Sequence, residues 1–331
     1  MVELARRRPL QAGRLPGSPV GLLIAAGCVF LLVGSLVSTI FAQQTVAGLA
    51  TGAVYSSLAL ALVLIYRATE VINFAQGEMA MASVYVAYQL IHWGFSYWEA
   101  FFTTLGFALV LGILIQLALI RPVQQKSVIA VVIVTVGLFI LIDGVVDWIW
   151  GASIKFMPGP FGNKIYHVGA VSIARQDIGT LAVTLGSVAL LWVLFQYTKL
   201  GLAMRAAALR PASARLVGVR VNSMLALGWG FAAVLGAVAG LMAEPAEFVL
   251  QPTLMQPILL YAFAAAVLGG LESPVGAVVG GLAIGVFLNL VGQYVHFVTS
   301  ELRPPFAFAV LLAVLLVKPT GLFGRRQVRK V

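Results

Sequence analysis

Between residues 20 and 317 the chain is a succession of long apolar runs, and most of its cations fall in the gaps between them or at the ends. A run of about twenty apolar residues is what an α-helix needs to cross the hydrocarbon core of a bilayer. Backbone in that core must satisfy its own hydrogen bonds, so runs this long read as helices. Of the 331 residues, 61% are hydrophobic and 10% charged, with a mean hydropathy of +1.02. A soluble domain carries about a quarter charged residues. The expected fold class is therefore all-α: a polytopic integral membrane protein with about eight to ten transmembrane helices.

The runs fall at residues 20–42, 45–66, 73–91, 100–120, 127–150, 178–198, 221–243, 258–271, 275–297 and 305–317. They define a transmembrane domain, 20–317, between a basic N-terminal segment, 1–19, and a basic tail, 318–331. Arg6, Arg7 and Arg8 before the first run resemble a signal-peptide start, but the run exceeds the usual signal core, so it reads as an uncleaved first span. Alternating the spans puts Arg6, Arg7, Arg8, Arg14, Arg67, Arg121, Lys126, Lys199, Arg205, Arg210, Arg215, Arg220, Lys318, Arg325, Arg326, Arg329 and Lys330 on one side. Only Lys155, Lys164, Arg175 and Arg303 remain on the other. Short loops rich in Lys and Arg face the cytoplasm, so both termini are expected to be cytoplasmic. The net charge of +10 is thus an orientation signal rather than a nucleic-acid patch.

Residues 92–99, HWGFSYWE, read as a short outer turn with interfacial aromatics. Residues 151–177 form the longest polar outer loop. Asp143 and Asp147 lie beside Trp148 and Trp150 and read as solvated carboxylates at the interface. Cys28 stands alone, and His92, His167 and His296 are far apart, so no metal or cofactor site is expected.

Three stretches stand out from generic membrane sequence. In VINFAQGEMAMASVY, 71–85, Asn73 and Gln76 have capping-box spacing, and a helix starting there brings Glu78 into its first turns. Such a start fits an ordinary interfacial helix end or one set deeper, lining a path for a solute; both readings stand. In the second stretch, 259–290, Gly276 with Gly280 and Gly281 with Gly285 permit close helix contact, as do Gly48 with Gly52 and Gly236 with Gly240 elsewhere. This stretch breaks at GGLESP, either a cytoplasmic turn or a re-entrant bend. The third, 199–220, carries five cations and no acid, so it must face water. Its arginines at 205, 210 and 215 cannot share one helical stripe, and a short Ala-rich helix broken near Pro211 is expected, with Ala206, Ala207 and Ala208 free to enter a partner's groove.

Together, VINFAQGE (71–78), MRAAALRPASARLVGV (204–219) and AFAAAVLGGLESPVGAVVGG (262–281) resemble the H-type (LivH-like) permease subunit of branched-chain amino acid ABC importers, over nearly the whole chain from 44 to 321. The resemblance implies a permease without its own ATPase, residing as a multi-pass protein in the bacterial cytoplasmic (inner) membrane. It implies cytoplasmic ABC ATPase subunits, a second (M-type) permease subunit and an extracytoplasmic solute-binding protein as partners. By position, Arg205, Ala206, Ala207, Arg210, Pro211 and Gly218 inherit the loop that couples to the ATPase. Tyr55, Ser57, Asn73, Gln76 and Glu78 are the candidate pathway residues. Where many members carry His, this chain has Gln76; Glu272 stands for a common Gly, and Leu288 for a frequent acid.

Two other classes are weighed from the residues. A stand-alone secondary transporter of a small polar solute needs a coupling-ion group at mid-membrane, and Glu78 is the acid placed for it. A membrane-embedded enzyme needs clustered His, paired acids or an activated Ser, none of which the pattern offers. The sequence holds no Gly-Lys dipeptide and so no P-loop, which assigns any ATP chemistry to a partner.

Overall fold

The computed structural model describes residues 19–124, 127–162, 164–168, 171–247, 249–295, 298–299, 302–318 and 321–324. The basic segment up to residue 18, Lys126, His296 and the tail from residue 325 lie outside the described residues.

The chain is built of helices: α1 (Pro19–Val37), α2 (Thr39–Thr69), α3 (Gln76–His92), α4 (Tyr97–Ile115), α5 (Arg121–Gln124), α6 (Val128–Trp150), α7 (Arg175–Tyr197), α8 (Lys199–Leu209), α9 (Pro211–Leu216), α10 (Val221–Glu247), α11 (Met255–Gly269), α12 (Pro274–Tyr294) and α13 (Arg303–Val317). Among the described residues, six helical stretches are long and apolar enough to cross a membrane: Thr39–Thr69, Tyr97–Gln124, Val128–Trp150, Arg175–Tyr197, Val221–Pro245 and Pro274–Tyr294. α3, α11 and α13 are shorter and fill in between or beside them.

α2 and α10 form the centre, about three quarters buried along their apolar windows, whereas α6 and α7 present most of theirs outward. The central packing is set by glycine. A methyl group on Gly48 would lie 2.6 Å from the Cα of Val286, and one on Gly52 would lie 2.9 Å from that of Leu282. Gly281 and Gly285 face back onto Ser56 and Gly52, so α2 and α12 touch backbone to backbone, as the paired glycines predict. Ser56 locks the contact by donating its hydroxyl to the Gly52 and Val278 carbonyls, each at 2.7 Å. Gly276 and Gly280 do the same for α12 against α11, and Gly236 and Gly240 for α10 against α3.

One end of the bundle is basic. A cleft there brings together Tyr66, Arg67 and Glu70 from the end of α2, Ala208 and Leu209 from α8, and Glu272 to Pro274 from the GGLESP turn. That turn is therefore a loop at the basic face and not a bend inside the protein. The chain beyond α13 returns to it, with Leu322 and Phe323 donating to the Leu268 and Gly269 carbonyls. By the positive-inside rule this is the cytoplasmic face.

Four boundaries differ from expectation. The first turn lies at Ser38, which is extended and caps α2 through the Phe41 N–H, not at Gln43 and Gln44. Gln44 stays helical and donates to the Gln293 amide of α12 at 3.2 Å, a use for a polar side chain that a single chain segment does not reveal. The helix begun by α4 continues past Pro122 to Gln124, because a π-turn at Gln116–Ile120 widens the backbone where the proline ring would strike the preceding turn. The outer loop contains a small hairpin, β1 (Ile165–Val168) with β2 (Val171–Ala174), too short to be read from its pattern. Finally, α3 starts at Gln76 with Ala75 as N-cap, so Asn73 is not the cap. Its Oδ1 accepts from the Ala75 N–H at 3.1 Å in an Asx turn, and Gln76 spends its side chain elsewhere.

Candidate functional site

The depth of the α3 N-terminus decides what Asn73, Gln76 and Glu78 can do. Gln76 donates through Nε2 to the carbonyl of Ala232 at 2.9 Å. Ala232 is the twelfth residue of α10, about 16 Å above the basic end of that helix. The chain reaches this depth by turning at Glu70, whose φ of 57° ends α2 in a left-handed cap, and then running non-helically to Ala75. Non-helical backbone at this level is tolerated only where protein surrounds it; Val71, Asn73 and Ala75 are buried accordingly. The helix therefore starts below the interface rather than at it.

Asn73 donates to the Gln76 Oε1 at 3.2 Å, and both side chains are buried. Glu78 lies one helical position beyond Gly77, which presses on Leu259 and the Met255 carbonyl of α11. It is 0% exposed, and the side chain of Gln256 of α11 stands within hydrogen-bonding reach of its carboxylate. Asp143 of α6 also reaches it electrostatically. The Tyr85 hydroxyl and Asp143 Oδ1 are buried without hydrogen bonds. Asp147 is exposed as expected; Asp143 is turned partly inward. Sequence reasoning missed Gln256 and Asp143 as neighbours of Glu78, because they come from α11 and α6, far from it in the chain.

Ser57 and Tyr55 do not join this group. The Ser57 hydroxyl donates to the Leu235 carbonyl at 2.9 Å and clamps α2 to α10. Tyr55 packs on Tyr261 of α11, with ring centroids 5.2 Å apart. It lines a cavity of about 30 Å³ with Thr51, Asp177, Thr180, Met242 and Ile258. Such a space suits a water rather than an amino acid.

The basic loop folds as α8 and α9, broken at Arg210 with Pro211 opening the second helix. The corner from α7 is tight: Gly201 packs on the Leu194 and Phe195 carbonyls, and Thr198 caps its N–H at 3.0 Å. Gly218, at φ +81°, closes α9 in a Schellman arrangement, with its own N–H on the Arg215 carbonyl and that of Val219 on Ala214. Its role is a cap.

Contrary to expectation, Ala207 does not face outward. It is fully buried in a small cluster with Ala214, Val221 and Leu225, with Ala206 packed against it. Arg205 folds back to Gln196 at 3.2 Å. Arg210 and Pro211 are exposed, and beside them stand three apolar side chains that charge-based reading overlooked: Leu209, Leu216 and Val217, the last two 89% and 77% exposed. No described group of His, Cys, Asp and Glu could hold a metal.

The profile of the branched-chain amino acid transport system / permease component family matches residues 44–317. The chain is 30% identical to the high-affinity branched-chain amino acid transport system permease protein LivH of Escherichia coli (strain K12), over 88% of this chain and 98% of that one. The LivH protein of Salmonella typhimurium matches over the same shares at 30% identity. BraD of Pseudomonas aeruginosa, a high-affinity branched-chain amino acid transport system permease protein, does likewise. Among solved structures, PsaBC from Streptococcus pneumoniae in complex with Fab aligns with 88% of this chain and 97% of its own at 14% identity and a TM-score of 0.47, too loosely to add to the assignment. The chain is a multi-pass membrane protein belonging to the branched-chain amino acid transport system / permease component family.

Proposed function

We propose that the chain is the membrane-spanning subunit of an ABC importer that carries branched-chain or related amino acids across the bacterial cytoplasmic membrane. ATP is hydrolysed by cytoplasmic partner subunits, a second permease completes the pathway and an external binding protein delivers the solute. The observation that carries this reading is the likeness to LivH and BraD over 88% of the chain. The exposed loop on the cytoplasmic face supports it.

In this reading α8 and α9 are the coupling element. Arg210, Pro211, Leu216 and Val217 meet the ATPase, while Arg205, Ala206, Ala207 and Gly218 hold the loop's shape. Asn73, Gln76, Glu78 and Tyr55 belong to the pathway. Glu78 offers a carboxylate to the solute's ammonium group; the apolar walls from α3 and α11 suit an aliphatic side chain. Closing and opening follow from shifts between packed helices rather than from bending within one.

The test is uptake by cells lacking this chain and re-supplied with it, with labelled leucine challenged by isoleucine, valine, other amino acids and urea. Competition by the aliphatic amino acids alone is the expected outcome. Uptake indifferent to all of them would remove the substrate assignment while leaving the fold untouched.

A further inference from the structure

A cleft of about 490 Å³ opens on the outer surface between α2, α7 and α12, at the cytoplasmic half of the bundle. Leu64, Val188, Trp192, Val275 and Val278 are among the apolar side chains that wall it. Its volume lies in the range of small-molecule sites, about 300–1,000 Å³. Along α7 the lining runs from Leu185 to Gln196, a rise of about 16 Å. That is close to half of the roughly 30 Å hydrocarbon core, the depth of one leaflet.

The mouth is cationic. Arg67 of α2 and Arg205 of α8 both line it, close enough to repel one another, with Glu272 as the acid that attracts Arg67. Two guanidinium groups against one carboxylate leave a net positive rim. Arg205 is held by Gln196, with Nη1 donating to its side-chain oxygen at 3.2 Å and Nη2 to its carbonyl at 3.5 Å, while Nε makes no hydrogen bond. An apolar slot one leaflet deep with a guanidinium pair at headgroup height matches an acyl chain joined to a phosphate.

We propose that this cleft is a binding site for an anionic phospholipid of the inner leaflet. The phosphate bridges Arg67 and Arg205, and one acyl chain lies along α7 over Val188 and Trp192. Arg205 belongs to α8, so a lipid held there braces the element that leads into the exposed loop. This site is independent of the solute pathway and does not depend on the substrate assignment.

The test uses the whole purified transporter in nanodiscs of phosphatidylcholine doped with phosphatidylglycerol, with lipid retention read by native mass spectrometry. Wild type is expected to keep phosphatidylglycerol, and Arg67→Gln and Arg205→Gln each to lower retention by about fivefold. Ala189→Trp, at an exposed position on the cleft wall, fills the slot without touching the core and should abolish retention. Photoactivatable phosphatidylglycerol should label α7 in wild type only. Equal retention by all four proteins would overturn the proposal. So would displacement of the lipid by soluble glycerophosphate, or a cross-link from Ala189→Cys to the second permease in place of the lipid.

Discussion

The start of α3 and the α8–α9 loop solve opposite problems with polar residues. At the start of α3, Asn73, Gln76 and Glu78 are wholly buried, and the first two are used up by hydrogen bonds to each other and to α10. In the loop, Arg210, Arg215 and Arg220 are solvated, and the groups that look outward with them are apolar, Leu216 and Val217. In the proposed function the protein thus hides expensive polar groups where they would meet a solute and exposes apolar ones where they would meet a partner. The lesson is that burial, not residue type, separates the two roles.

The largest effect should come from the scaffold that keeps the two regions in register. Gly285→Leu drives a side chain into Gly52 and should cost about 3 kcal/mol or more, read as lost folded yield and a collapsed melting temperature in detergent. Gly186→Leu, with nothing within 4 Å, should melt like wild type. If both variants behaved alike, the α2–α12 contact would not be what holds the bundle.

Glu78→Ala should lower uptake by about tenfold or more with insertion and melting intact, since it removes a wholly buried carboxylate whose desolvation the fold otherwise has to bear. Normal uptake by a well-inserted variant would take Glu78 out of the pathway. On the other side of the comparison, Arg210→Glu and Leu216→Asp should each weaken co-purification of the ATPase by about tenfold while leaving thermal stability unchanged. Intact complexes would move the contact away from this loop.

The smallest effect sharpens the boundary of the site. Ser57→Ala should cost about 0.6 kcal/mol, the usual size of an interhelical hydrogen bond in a membrane, and should leave uptake alone. A transport defect without a stability change would return Ser57 to the pathway.

Much of the fold was legible because hydrocarbon is a severe filter. Apolar run length gave the spans, cation placement gave the orientation, and the paired glycines gave the tight contacts. What could not be read were the interactions joining distant segments. Gln44 suggested a turn because its partner, Gln293, lies 249 residues away. Asn73 and Gln76 had capping-box spacing, but a carbonyl on α10 claimed the Gln76 amide. Small residues in the loop suggested a groove-filling face, whereas Ala207 packs inward against Val221 and Leu225. Composition reports what a segment tolerates, and only packing reports which side of it is used.

In the proposed function this chain opens its pathway only when a partner hydrolyses ATP. The direct measurement is leucine uptake into proteoliposomes holding the complete complex with binding protein, beside liposomes holding the same permease without the ATPase. Uptake that needs ATP and every partner, and none from the permease alone under a proton or sodium gradient, is the predicted result. Gradient-driven uptake by the permease alone would contradict the account and recast Glu78 as the site of ion coupling.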